Sequence, residues 1–230
     1  MSGSSGFIAL VGGGEWTDGC AFDRELLALS RADEVVVLPT AAAYEHPDLL
    51  VARATRWFAE LGAGVRAVMA LDRSGANDAS HCAAVRDARI VYLAGASAMH
   101  LRSVLMHSPL WDALIGAWRS GATIVGSSAG AMVLCDPMVD PRGGAFTLGL
   151  GMLRQVTVIP HADTWSEDKL HRTLRLAPPT LPVVAVEERT AVLREPDDTW
   201  RVEGAGTARV WIDGRESHVE ALGDAARPLA

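Results

Sequence analysis

The sequence predicts a doubly wound α/β domain on a mainly parallel sheet, with a small antiparallel β appendage near its C-terminal end. Three observations carry that expectation. Short β-branched runs alternate with longer Ala- and Leu-rich segments. The runs are apolar almost throughout, the texture of strands covered on both faces, rather than alternating polar and apolar. After Pro178-Pro179 the texture changes to short strands separated by turn residues.

Taken in order, Phe7-Ile-Ala-Leu-Val11 reads as a strand running into Gly12-Gly-Gly14, followed by a helix over 20–29. Glu34-Val-Val-Val-Leu38 reads as a second strand, stopped by Pro39. A helix over 46–61, a strand over 64–70, a helix over 79–86 and a strand over 89–93 follow. Helices over 97–106 and 110–119 precede a strand over 122–125, a helix over 129–135, a strand over 155–159 and a helix over 166–176. Right-handed crossovers are expected for such a series. The stretches 183–186, 191–195, 200–203 and 208–212 are separated by Pro196-Asp-Asp198, Gly204-Ala-Gly206 and Asp213-Gly214, the composition of hairpins on the sheet's edge.

At 230 residues the chain lies between one large domain and two small ones. With no long linker, internal repeat or low-complexity stretch, a single domain is expected from residue 7 onward, the β appendage starting near 183. Met1-Ser-Gly-Ser-Ser-Gly6 lacks the charged and apolar regions of a signal peptide and reads as a flexible native tail or the remnant of an expression tag. The net charge is −7 and no stretch concentrates Lys and Arg, so neither nucleic acid nor an anionic membrane surface is an expected partner. The uncharged window Ser120 to Cys135 is shorter than the roughly 20 residues a membrane helix needs. Cys20, Cys82 and Cys135 are too scattered for a disulfide framework or a zinc site, which fits a reducing, cytoplasmic setting.

The sharpest chemical feature is Gly126-Ser-Ser-Ala-Gly130, between an apolar strand and a helix. It matches Gly-x-Ser-x-Gly, whose central serine sits on a tight strand-to-helix turn and whose glycines avoid collision with neighbouring backbone. That makes Ser128 the candidate nucleophile; Ser127 has the wrong offset from the glycines. The Ala129 N–H, opening the helix, is a candidate oxyanion donor. A serine nucleophile needs a base. Of seven histidines, His161 alone stands at the carboxyl end of a predicted strand, where ligand sites of open parallel sheets gather. His161 and Asp163 are two metal-ligand types with no obvious third. Gly12-Gly-Gly14 lacks the Gly-x-Gly-x-x-Gly spacing, and a tight turn beside a pocket is the expected reading.

The chain resembles the serine peptidases comprising aspartyl dipeptidase (dipeptidase E) and cyanophycinase, whose core is similar to a flavodoxin-like, class I glutamine amidotransferase domain. The resemblance covers most of 7–212. It rests on Ala9-Leu-Val-Gly-Gly-Gly14, Val36-Val-Leu-Pro-Thr-Ala41, Ala76-Asn-Asp78, Val91-Tyr-Leu-Ala-Gly95, Gly126-Ser-Ser-Ala-Gly-Ala131, Leu148-Gly-Leu-Gly-Met-Leu153, Val158-Ile-Pro-His161 and Val186-Glu-Glu-Arg-Thr-Ala191, in family order. It implies Ser128 as nucleophile, His161 as base, and an acid between them, Asp140 fitting best with Asp136 as the alternative. It further implies an oxyanion hole of the Ala129 N–H and one from Gly95 or Ala96. A small peptide or amide substrate, no cofactor, no metal and a possible homodimer complete the expectation. The chain departs from the family at Ala94-Gly95-Ala96-Ser97, where relatives carry polar residues after a glycine pair, and at Ala162, where they carry an aromatic. A binding module that keeps the fold without turnover is the alternative; a glutaminase is disfavoured because the turn carries serine rather than cysteine.

Overall fold

In the computed structural model, which describes residues 5–142 and 145–228, five parallel strands form the centre of the molecule. They are β1 (Ile8–Val11), β2 (Glu34–Leu38), β3 (Gly64–Ala67), β4 (Ile90–Leu93) and β5 (Thr123–Ser127). Across the sheet they run β1-β5-β4-β2-β3. β1, β4 and β5 are buried throughout, as their unbroken apolar texture requires, whereas β3 is the edge strand and mostly exposed. Alternate side chains serve two cores. Ala9, Val11, Val35, Val37, Tyr92 and Val125 meet α1 (Phe22–Ser30) and α2 (Pro47–Glu60). Ile8, Leu10, Val36, Val91 and Ile124 face the core that takes in α3 (Ala79–Arg86), α4 (Ala98–Leu105), α5 (Pro109–Arg119) and α6 (Ala129–Leu134). The helix starts are chemically marked: Asp78, Ser97 and Ser108 accept N–H groups of the first turns of α3, α4 and α5, and Pro47 and Pro109 open α2 and α5. Among the described residues, no helix is long and apolar enough to cross a membrane.

Two C-terminal features differ from expectation. The last strand of the predicted parallel series, Thr157–Ile159, leaves the main sheet and pairs in parallel with Val183–Val186, Thr157 opposite Val183 and Ile159 opposite Ala185. Ala208–Ile212 and Arg215–Ser217 complete this second, four-stranded sheet. The C-terminal hairpins therefore do not form one appendage. Thr190–Arg194 lies antiparallel beside β1 inside the main sheet, and Trp200–Gly204 continues it outward. Apolar texture specifies that a strand is buried but not which neighbour buries it; the turn Glu187–Arg189 carries the chain from the second sheet into the main one, and residues 205–207 carry it back. Arg201 fastens the hairpin to α1 by bonding Glu25 at 2.7 Å while holding Glu195 at 2.7 Å and Glu203 at 2.6 Å.

Asp23, only 1% exposed on α1, accepts a hydrogen bond from the Trp57 indole at 2.9 Å. Burial, opposed by the Trp57 N–H and reinforced by the charge of Glu15, pushes its carboxyl up to about 8. An unfolded Asp titrates near 4, so between roughly pH 4 and pH 8 the native state holds a proton that the unfolded state lacks. Stability contributed by this group is therefore full below pH 4 and declines as pH rises to 8. Asp23→Asn keeps an acceptor for Trp57 without the charge; its thermal melts should match wild type near pH 4 and exceed it at pH 8. Parallel melting curves across that window would show that Asp23 titrates normally.

Candidate active site

β5 ends at Ser127 and the chain turns directly into α6, which puts Ser128 at φ 51° and ψ −110°. The flanking glycines are dictated by space: a Cβ on Gly126 would stand 2.6 Å from the Gly130 carbonyl, and one on Gly130 would stand 2.2 Å from the Leu93 carbonyl oxygen. The Ser128 N–H donates to the Val11 carbonyl at 2.9 Å, tying the turn to the end of β1.

His161 lies just past Thr157–Ile159 in a left-handed conformation, its N–H donating to the Gly12 carbonyl at 2.7 Å. Its imidazole Nε2 is 2.8 Å from Ser128 Oγ. On the other side of the ring, Nδ1 is 2.7 Å from Glu188 Oε1. A carboxylate at Nδ1 places the ring proton there and leaves the Nε2 lone pair toward the serine hydroxyl. Glu188 occupies the turn between the two sheets, fixed by its own N–H on Asp163 Oδ1 at 3.1 Å and by the Arg189 N–H on the Gly13 carbonyl at 2.8 Å. Gly13, at φ 125°, makes room for the ring: a Cβ there would stand 2.2 Å from His161 Cε1.

The carboxylate that touches the imidazole is thus neither Asp140 nor Asp136. Asp140 Oδ1 accepts the Arg142 N–H at 2.8 Å, and its own N–H bonds Ala145, so it holds its own hairpin. Asp136 Oδ1 accepts the Gly149 N–H at 3.0 Å. The carboxylate beside the ring follows the histidine in sequence instead of preceding it, because Thr157–Ile159 pairs with Val183–Val186 and brings the next turn over the ring. Both imidazole nitrogens are engaged by side chains, and Asp163 Oδ1 accepts the Glu188 N–H.

After β4, the chain passes behind the serine. A Cβ on Gly95 would stand 3.1 Å from Ser128 Cβ, and Ala96 adopts φ 132°, a conformation that favours glycine. Neither the Gly95 nor the Ala96 N–H has an acceptor among the described residues, and α6 presents the Ala129 N–H from its first turn. A cavity of about 520 Å³ opens onto Ser128 and His161, walled by Ala96, Met132, Pro141 and Trp165. Lys169, the chain's only lysine, also lines it, with Nζ 3.7 Å from the Trp165 ring centre. Burial and the nearby Arg172 charge hold its ammonium below the usual lysine range.

A model of peptidase family S51 matches residues 8–201. The chain belongs to peptidase family S51. This S51 peptidase is 28% identical over 236 residues to the cyanophycinases of Synechococcus elongatus and Thermosynechococcus vestitus (strain NIES-2133 / IAM M-273 / BP-1), covering 94% of this chain and 70% of each relative. A peptidase from an acI-B1 Actinobacterium superposes with a TM-score of 0.83 at 26% identity, covering 93% of both chains. A putative peptidase E protein from Listeria monocytogenes EGD-e shares the fold, with a TM-score of 0.67 at 13% identity over 88% of this chain and 100% of its own.

Proposed function

We propose that the chain is a serine-dependent hydrolase of amide bonds in small peptides, working through a Ser128–His161–Glu188 triad and an acyl-enzyme. The observation that carries this reading is the pair of contacts on one imidazole, 2.8 Å to Ser128 Oγ and 2.7 Å to Glu188 Oε1. In this mechanism the strand-to-helix turn serves as a nucleophile elbow. Ser128 Oγ attacks the carbonyl carbon as its proton passes to His161 Nε2. Charge on the carbonyl oxygen is met by the Ala129 N–H and by that of Gly95 or Ala96. The C–N bond then breaks, and the leaving amine takes the proton from His161. Water, deprotonated by the same nitrogen, attacks the ester; release of the carboxylic acid returns the proton to Ser128. Glu188 keeps the imidazole in the productive tautomer and stabilises its cation. These steps use groups of the chain and one water.

The cavity supports a small substrate, since pockets of about 300 to 1,000 Å³ suit ligands of that size. Cyanophycinase-like or aspartyl-dipeptidase-like cleavage is the reading that family membership supports. A fluorophosphonate probe should label the wild-type protein on a peptide containing Ser128, and Ser128→Ala should abolish the label. Undiminished labelling of that variant would overturn the assignment. Across a panel of Asp-containing dipeptides, thermal stabilisation without product would favour a binding module instead.

A further inference from the structure

The turn after β1 does more than clear space for the imidazole. With the end of β1, its backbone meets the segments that carry Ser128, His161 and Glu188: Val11 accepts the Ser128 N–H at 2.9 Å, Gly12 the His161 N–H at 2.7 Å and Gly13 the Arg189 N–H at 2.8 Å. The next residue, Glu15, is a buried carboxylate, its side chain 8% exposed. Its Oε2 accepts the Ser127 hydroxyl at 2.8 Å, while its Oε1 lies 3.4 Å from Arg53, whose side chain is 46% exposed. Ser127 is itself wholly buried, on the face of β5 opposite α6. It shares a peptide bond with Ser128, so fixing the Ser127 side chain fixes the plane from which the left-handed turn departs.

We infer that Glu15 is a positioning residue for the nucleophile, acting through the Ser127 hydroxyl. A buried carboxylate is expensive to desolvate, and an apolar pair in place of Glu15 and Ser127 would avoid that cost. What the carboxylate supplies is direction: it holds the Ser127 hydroxyl in one rotamer and so holds the backbone beneath Ser128 against rotation. Small misplacements of reacting groups reduce rates steeply even when every group is present.

This inference rests on the hydrolase reading, and the experiment separates the two. The saturating rate and half-saturating concentration of fluorophosphonate labelling at Ser128 are measured for wild type, Ser127→Ala, Ser127→Thr and Glu15→Leu, with melting temperatures from circular dichroism. Ser127→Ala and Glu15→Leu are expected to lower the saturating rate about tenfold to a hundredfold with little change in half-saturation. Ser127→Thr, which keeps the hydroxyl, should recover most of it. The double variant of Ser127→Ala with Glu15→Leu, which leaves neither group unpaired, should melt close to wild type yet label as slowly as the single variants, a result that a merely structural role would reverse. A folded Glu15→Leu labelled at the wild-type rate overturns the positioning role, and so does loss of labelling only in proportion to lost stability. Wild type that is not labelled at Ser128 overturns the hydrolase reading itself, and the inference with it.

Discussion

Glu188→Gln is expected to lower the saturating rate of Ser128 acylation by roughly ten-thousandfold without unfolding the protein. The size follows from what the carboxylate does. Glutamine can still accept from Nδ1, but its amide also donates, which admits the tautomer with the proton on Nε2, and it carries no charge to balance the imidazolium; the analogous change in a Ser-His-Asp triad costs about 10⁴ in kcat. Glu188 is about one-third exposed on its side chain, so the change buries no unpaired group. Asp140→Asn and Asp136→Asn, made in parallel, should label near the wild-type rate, because those carboxylates hold backbone N–H groups of Arg142 and Gly149. Rapid-quench labelling followed by mass spectrometry decides among them. A strong loss in Asp140→Asn with none in Glu188→Gln would reject Glu188 as the partner that orients His161.

The largest effect on stability is expected from Gly126→Ala. The new methyl would stand 2.6 Å from Gly130 carbonyl atoms and 2.7 Å from the Ala131 nitrogen, all of them backbone in a buried turn that cannot rotate away. Either β5 and α6 move apart or the elbow deforms. Overpacking in a close-packed interior costs about 1 to 3 kcal/mol and occasionally more; collision with backbone belongs at the upper end. For a chain of this size that corresponds to a melting temperature lower by about 6 to 12 °C, with labelling of Ser128 impaired in the surviving fold. Gly116→Ala on α5 is the control, since a Cβ there meets nothing within 4 Å. Equal melting of both variants would show that the elbow yields more readily than its contacts suggest.

Much of the central sheet was legible because burial on both faces leaves an unmistakable texture, and the glycines around Ser128 are demanded by local sterics that a pentapeptide can announce. The strand-end position of His161 was legible, and its ring lies beside Ser128. The carboxylate on the far side of the ring was not legible. Glu188 was visible only as part of Val186-Glu-Glu-Arg-Thr-Ala191, and its relation to His161 depends on Thr157–Ile159 lying beside Val183–Val186 in a second sheet. Nothing in Thr157-Val-Ile159 itself specifies which strand it will pair with. Glu15 was hidden for a similar reason: the turn it follows reads as a close-approach turn, but what approaches it comes from three distant parts of the chain.

That convergence also sets the point in synthesis at which Ser128, His161 and Glu188 can meet. β1 is made first, yet Ile8 pairs with Arg194 and the Gly12 N–H bonds the Thr190 carbonyl. The imidazole cannot be oriented until the turn at Glu188 has emerged. Contacts so distant along the chain form slowly. In the proposed mechanism, the nascent polypeptide therefore acquires the means to cut peptides only when nearly all of its core has been made.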